Sequence, residues 1–314
     1  MRALVTGAAG FVGNYLIDQL LSEGYEVVAT ARSIKGVQGY KQVAWETMDI
    51  TNKEDIEDVI SKWKPDYTFH LAAAAVTTLP TRELYYNTNV IGTYNLLDTI
   101  KKIIPNSRTI VVSSASVYGH VPSEQLPIRE SLSVNPYNHY AASKASAELV
   151  VQAFLADGLD VIIARAFNHT GPGQTIDYVC SKFAKQFAHI VVNQKEPTIE
   201  VGNIRVSRDF TDVRDVVRAY ERLMRFGRVG EIYNVCSGQP TKLKEIIGWL
   251  KDYAEVQVKV NSLSQNMRNQ DSSVVFGSNE KIFQHTGWVA KTPLEETIFD
   301  LYKYWESKCE AEGL

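Results

Sequence analysis

The first half of the chain alternates short apolar runs with longer amphipathic ones. Residues 2–6 read as a strand, 10–22 as a helix, 26–30 as a second strand and 43–48 as a third. Within 53–62 the apolar residues Ile56, Val59 and Ile60 recur at helical spacing in a polar background. Residues 67–71 predict another strand, closed by the small side chains of 72–75. Residues 89–102 predict a helix carrying Val90, Tyr94, Leu97 and Ile100 or Lys101 on successive turns. A strand at 109–113, a long helix at 137–155 and a strand at 161–165 complete the series. Strand–helix alternation with apolar, β-branched strands predicts an α/β, doubly wound parallel sheet covered on both faces.

After Arg165 the regularity loosens. Gly and Pro punctuate 166–173, which reads as loop. A helix at 179–193, a strand at 199–201, a loop to Arg208, a helix at 212–226 and a strand at 232–235 follow. Helix 243–253, a strand, a loop at 261–277 and C-terminal helices end the chain. This half is expected to be a smaller α/β substrate domain that exchanges chain with the first. Residues 1–166, with about 209–237, would form the cofactor domain, and 167–208 with 238–314 the substrate domain.

The 314 residues suit about two domains. Lys and Arg number 33 and Asp and Glu 36, a net charge of −3 that argues against a nucleic-acid partner held by a basic field. Three well-separated cysteines give neither a disulfide framework nor a metal pair. The six histidines lack ligand spacing, so no metal is expected. Structured sequence begins within two residues of Met1, and the longest apolar stretch, 71–76, is far short of a membrane span. A cytoplasmic enzyme without a membrane partner is the class these features favour.

Thr6-Gly7-Ala8-Ala9-Gly10-Phe11-Val12-Gly13 lies between the first strand and the first helix. That position turns a weak glycine pattern into a strong one. Gly7 permits the tight turn, Gly10 lets backbone approach a pyrophosphate, and Gly13 lets helix and sheet pack closely. The helix N-terminus presents N–H groups to the phosphates. The fold is therefore expected to be of Rossmann type. The second strand ends Ala29-Thr30-Ala31-Arg32-Ser33, without the acid that accepts from the ribose hydroxyls of NAD. Arg32 offers a guanidinium suited to a 2′-phosphate, so NADP(H) is the expected cofactor. Asp49 and Ile50 stand where such folds hold the adenine, and Ala72 and Ala73 where small residues admit the cofactor.

Tyr140-Ala-Ala-Ser-Lys144 places a phenol and an ammonium four residues apart on one helix face. A nearby cation is expected to lower the phenol toward working range. Ser114 ends the strand 109–113 and offers a hydroxyl to orient a substrate carbonyl. Glycine loop, strand-end serine and YxxxK in this order resemble the extended short-chain dehydrogenase/reductases, the NAD-dependent epimerase/dehydratase family. The resemblance covers essentially the whole chain. It includes Asn89-Val-Ile-Gly-Thr93, Arg165-Ala-Phe-Asn168, Arg208-Asp-Phe-Thr211 and Arg268 with Asp271. It implies that Ser114, Tyr140 and Lys144 carry hydride-transfer chemistry. It also implies cofactor contacts at Phe11, Val12, Thr30, Ser33, Leu71 and Asn89. Asn168, Arg208 and Arg268 would grip a sugar-nucleotide diphosphate, Asp271 its ribose, and Val179, Lys182 and Val201 would add contacts. The apolar stripes of the helices at 89–102 and 137–155 suit the family's usual homodimer, a four-helix interface, or equally ordinary packing on the sheet.

The segments 167–174 and 201–215 are most similar to GDP-4-keto-6-deoxy-mannose reductases. This implies NADPH-dependent reduction of the C4 ketone of a GDP-4-keto-6-deoxy sugar, GDP-4-keto-6-deoxymannose to GDP-rhamnose. The run Ala115-Ser-Val-Tyr-Gly119 instead looks like UDP-hexose 4-epimerases, which keeps a nucleotide-sugar 4-epimerase as the alternative. Ala115 and Ser116 occupy the positions where 4,6-dehydratases carry an acid, which argues against dehydration. From Ala31-Arg32, KM for NADPH is expected to lie well below KM for NADH; a clear NADH preference would overturn the cofactor assignment.

Overall fold

A computed structural model describes residues 1–35, 41–75, 81–262 and 273–312. Seven parallel strands form the larger sheet: β1 (Arg2–Thr6), β2 (Glu26–Ala31), β3 (Ala44–Thr47), β4 (Tyr67–His70), β5 (Arg108–Ser114), β6 (Asp160–Ala166) and, from far along the chain, β10 (Ile232–Val235). Their spatial order is β10-β6-β5-β4-β1-β2-β3. The order reverses beside β1, where a doubly wound sheet opens a crevice at its carboxyl edge. Between these strands run α1 (Phe11–Ser22), α2 (Lys53–Trp63), α3 (Glu83–Tyr86), α4 (Gly92–Ile103) and α5 (His139–Ala156).

Alternation along the strands builds two core layers. Ala3 and Val5 of β1 face Leu16, Ile17 and Leu20 of α1, with Val216, Tyr220 and Leu223 of α7 (Val213–Phe226) in the same layer. Leu4, between them, faces the opposite layer of Ile56, Ile60, Leu97, Ile100 and Val151. Asn52 caps α2 by accepting from the Glu54 N–H at 3.0 Å. Asn138 caps α5 by accepting from the Ala141 N–H at 2.8 Å, which fixes the start of the helix carrying Tyr140.

The C-terminal half adds β7 (Asn168–Thr170), α6 (Val179–Val192), β8 (Thr198–Val201), β9 (Ser207–Asp212), β11 (Pro240–Lys242), α8 (Leu243–Ala254), β12 (Lys259–Ser262), β13 (Val274–Val275), α9 (Glu280–Thr286) and α10 (Leu294–Glu312). β9 pairs with β7, β11 and β13 in a small sheet, and β12 pairs with β8. α6, α8 and α10 enclose a separate apolar core around Phe183, Phe187, Ile246, Leu250 and Leu301. No helix among the described residues is long and apolar enough to cross a membrane.

Two sequence expectations require correction. First, β7 lies within the loop expected at 166–173, and β9 starts inside the loop expected up to Arg208 and runs on to the expected helix start at 212. Ser-Arg-Asp-Phe-Thr-Asp has no hydrophobic alternation, because Phe210 is its one apolar residue and its other buried positions, Ser207, Asp209, Thr211 and Asp212, are polar. The buried Asp209 carboxylate accepts from the Ser237 N–H at 2.9 Å, the Ser237 hydroxyl at 2.6 Å, the Gly238 N–H at 3.0 Å and the Gly277 N–H at 3.2 Å. Second, the helix expected from 89 begins at Glu83 and passes through a π-helical turn at Asn87–Ile91 before α4. The extra residue shifts the phase. Asn89, Thr93, Leu96, Leu97 and Ile100 become the buried face, and Tyr94 turns outward.

Candidate active site

The β1–α1 turn meets the end of β4. Gly7 has φ +69°, and a Cβ there would stand 2.8 Å from Ala72 backbone atoms. A Cβ at Gly13 would fall 2.4 Å from the Ala8 carbonyl oxygen, so helix and turn touch backbone to backbone. Gly10 is the N-cap of α1 and supplies no side-chain acceptor to its first turn. The N–H groups of that turn are thus left for an anion, the donor set a pyrophosphate requires. Thr30 is buried, and its carbonyl accepts the Ala8 N–H at 3.0 Å. Arg32 and Ser33 are exposed just beyond β2. Asp49 accepts from the Thr51 N–H and hydroxyl at 2.9 and 2.8 Å. Ile50 is buried in the core against Gly92, so it offers an adenine backbone rather than side chain. Leu71 is half-buried against the opposite core layer, that of Ala3, Val5 and α1, and Ala73 is exposed.

A directional chain of hydrogen bonds runs from this turn to α5. The Ala72 N–H donates to Thr6 Oγ1 at 3.1 Å, and Thr6 Oγ1 lies 2.8 Å from His70 Nδ1. His70 Nε2 lies 3.0 Å from Thr93 Oγ1, which donates to the Asn89 carbonyl at 2.6 Å. A hydroxyl has one proton. Thr93 spends its own on Asn89, so it accepts from His70 Nε2–H; Nδ1 is then the acceptor for Thr6. Burial holds His70 neutral, with its pKa lowered to about 3. The Asn89 side chain accepts from the Ala74 N–H at 2.8 Å and donates to the Ala74 carbonyl and to Ser143 Oγ at 3.1 and 2.9 Å. Ser143 in turn donates to the Tyr140 carbonyl at 2.8 Å. Asn89 therefore braces the cofactor side from beneath, buried out of direct reach. The sequence reading did not single out Thr6, His70, Thr93 or Ser143. Thr6 and His70 share one legible feature, the final position of a strand.

Ser114 ends β5, and its hydroxyl faces the Tyr140 phenol and favours the phenolate. Ser114 Oγ also accepts the Ser116 N–H at 3.2 Å, which caps the turn Ala115–Tyr118. Lys144 is buried, and its ammonium donates to the Val112 carbonyl at 2.5 Å. Burial lowers it to about 8, against the opposing pull of Glu148. Tyr140 departs from expectation. Burial pushes its phenol up to about 12; the Ser114 hydrogen bond lowers it only in part, and the Tyr178 and Tyr85 phenols raise it further. The cause is desolvation: a phenolate leaving water loses more than one neighbouring hydroxyl returns. The Tyr85 ring lies edge-on to Tyr140 at 6.1 Å.

The loop after β7 closes over α1. The His169 ring stacks on Phe11 at 6.4 Å and 9°, and its Nδ1 lies 3.0 Å from the Phe167 carbonyl. Tyr15 donates to the Pro172 carbonyl at 2.9 Å. Of the substrate candidates, Asn168 is exposed and donates to the Asp209 carbonyl at 3.4 Å. Arg208 is half-buried on β9, Val179 is half-buried at the start of α6, and Lys182 is exposed one turn on. Val201 requires correction: its side chain is buried in the α6/α8/α10 core, so only its backbone can face a ligand. Arg268 and Asp271 lie outside the described residues. No cluster of metal-ligating side chains occurs among the described residues.

A Rossmann sheet whose carboxyl edge joins a glycine turn to a Ser–Tyr pair and a helical lysine defines an extended short-chain dehydrogenase/reductase. The family model described as GDP-mannose 4,6 dehydratase matches residues 4–301, and the chain belongs to that family. It is 34% identical to GDP-6-deoxy-D-mannose reductase of Pseudomonas aeruginosa, over 99% of both chains. It is 31% identical to GDP-6-deoxy-D-talose 4-dehydrogenase of Aggregatibacter actinomycetemcomitans, over 91% of this chain and 92% of that one. The structure of RMD from Pseudomonas aeruginosa complexed with NADPH superposes with a TM-score of 0.86 at 33% identity, covering 98% of this chain and 99% of that one.

In the ligand-free protein, the tyrosinate absorbance lost on Tyr140→Phe is expected to belong to a group titrating near 12. Loss of a tyrosinate titrating near neutrality would contradict this placement.

Proposed function

We propose that the chain uses NADPH to reduce the C4 ketone of a nucleotide-activated 4-keto-6-deoxy sugar, with GDP-4-keto-6-deoxymannose as substrate and GDP-rhamnose as product. The observation that carries the reading is the Ser114–Tyr140 hydroxyl pair followed by Ala115 and Ser116. Two hydroxyls can hold and protonate a ketone oxygen. Neither following side chain can take the C5 proton and protonate the leaving C6 hydroxyl, as dehydration demands. The similarity to the Pseudomonas aeruginosa reductase along the whole chain supports the GDP-sugar class.

In this reading residues 1–166, with about 209–237, hold NADP(H), and 167–208 with 238–314 hold the nucleotide sugar. The first turn of α1 holds the pyrophosphate and Arg32 the 2′-phosphate. When bound, NADPH supplies the hydride. Ser114 donates to the ketone oxygen and aligns it with the Tyr140 phenol. Tyr140, protonated throughout the neutral range, gives its proton to that oxygen as charge develops there. Lys144 holds its ammonium near the phenolate that remains and lowers the cost of forming it. Asn168 and Arg208 bind the diphosphate through charge-assisted bonds, with Val179, Lys182 and the Val201 backbone beside them. Arg268 and Asp271 are assigned to the diphosphate and the ribose by family resemblance. The exposed faces of α4 and α5, with Ile91, Tyr94 and Leu149, pair two copies into a homodimer.

Lys144 must be charged to act, so kcat/KM is expected to be flat below about pH 8 and to fall above it. NADPH should be consumed one for one with GDP-4-keto-6-deoxymannose, and Tyr140→Phe should cut kcat by about 10²-fold or more. Turnover of a nucleotide hexose to its C4 epimer without net NADPH loss would instead establish the epimerase. Sedimentation at the mass of one chain, 35.2 kDa, would overturn the dimer.

A further inference from the structure

Behind the catalytic pair lies a buried ionic cluster with no part in the mechanism above. Glu148 follows Lys144 by one turn of α5 and Tyr140 by two, so all three share a helix face. Its carboxylate is met from β6 by Arg165, whose Nε and Nη2 donate to its two oxygens at 3.0 and 2.6 Å. From β5 the Ser113 hydroxyl donates to the same carboxylate at 2.5 Å. The two charged side chains are 7% and 4% exposed, so the pair is fully desolvated. The guanidinium also lies over the Tyr118 ring, 4.7 Å from its centroid, and Tyr118 donates to Asn234 Oδ1 of β10 at 2.7 Å. One carboxylate therefore ties α5 to β5 and β6, and through Tyr118 to β10. Ser113 immediately precedes Ser114, and the Val112 carbonyl that receives the Lys144 ammonium precedes Ser113.

A buried ion pair seldom adds stability over an apolar replacement of the same shape. Its placement beside a buried lysine gives it another use. We propose that Glu148 is a positioning residue: clasped by Arg165 and Ser113, it sets Lys144 and Ser114 in register and keeps the Lys144 ammonium charged inside the site. The inference rests on the dehydrogenase-type role given to Lys144 above. Among the described residues, the titratable and charged groups near Lys144 are these. Tyr140 and Glu148 flank it on α5, His70 faces it from β4, and Arg165 stands beyond Glu148 on β6. His70 is neutral above about pH 3 and Arg165 stays cationic, so neither titrates in the working range. Burial favours the uncharged amine, and the Glu148 charge opposes it.

The test is the titration of Lys144 itself, followed by NMR of ε-carbon-labelled lysine in the full chain and assigned with Lys144→Met. Glu148→Gln keeps the shape and an acceptor for Ser113 but removes the charge. Its Lys144 midpoint should fall by about one unit, and the alkaline limb of kcat/KM should move down with it. Because Glu148→Gln strands the Arg165 charge, Glu148→Gln/Arg165→Met provides a neutral cluster that can fold without the pair. There too the midpoint should stay below that of the wild type. A wild-type midpoint in the double variant would overturn the proposal, since the carboxylate would then only cancel Arg165. The NMR midpoint does not depend on turnover. A chain that reduces no nucleotide sugar yet shows the shift would refute the substrate reading and leave the electrostatic one standing.

Discussion

His70 is buried, and among the described residues no carboxylate pairs with it, so it stays neutral, and the frame of the site depends on that neutrality. With Nε2 protonated and Nδ1 bare, each hydroxyl in the chain from Thr6 to Thr93 has one direction available to it. The β1–α1 turn and the helix that carries Tyr140 are thereby held by a single consistent proton order. An imidazolium there would take away the acceptor Thr6 needs and would place a cation near Lys144. Burial makes that state expensive, and the low pKa of His70 expresses the same constraint.

Much of the larger sheet was legible because its physics is periodic. Strands 2–6, 26–30 and 161–165 are apolar runs in a parallel sheet, and the helices between them carry apolar stripes. The glycine turn and YxxxK were legible because spacing alone sets the one at the head of α1 and the other on a single face of α5. What stayed hidden was held by polar burial. β9 has no hydrophobic rhythm, since Asp209 and its backbone donors replace apolar packing there. The high pKa of Tyr140 was hidden for a related reason. Spacing locates Lys144 on the same helix face, but the depth of burial and the Val112 carbonyl that takes its ammonium belong to the tertiary fold.

The distribution of charge separates the two ends of the site. At the phosphate end, donors are backbone N–H groups and partly exposed cations on a chain of nearly balanced charge. At the reacting end, the charged groups are deep: the one Glu148 carboxylate is paired with Arg165 and also acts on the Lys144 ammonium. In the proposed reaction, anions would be captured from water by groups that remain hydrated, while the ketone would meet groups whose fields are unscreened.

The π-helical turn at Asn87–Ile91 carries one residue more than a regular turn would. Each residue of an α-helix advances the chain by about 100° around its axis. The turn therefore rotates everything upstream of it by roughly that angle relative to α4. Tyr85 reaches the Tyr140 ring while Leu97 and Ile100 remain in the core, two orientations that an unbroken helix would tie together. Such a feature belongs to the length of the chain rather than to any one side chain. Point substitution can tune what the upstream turn presents to the site, but only an insertion or deletion can re-aim it.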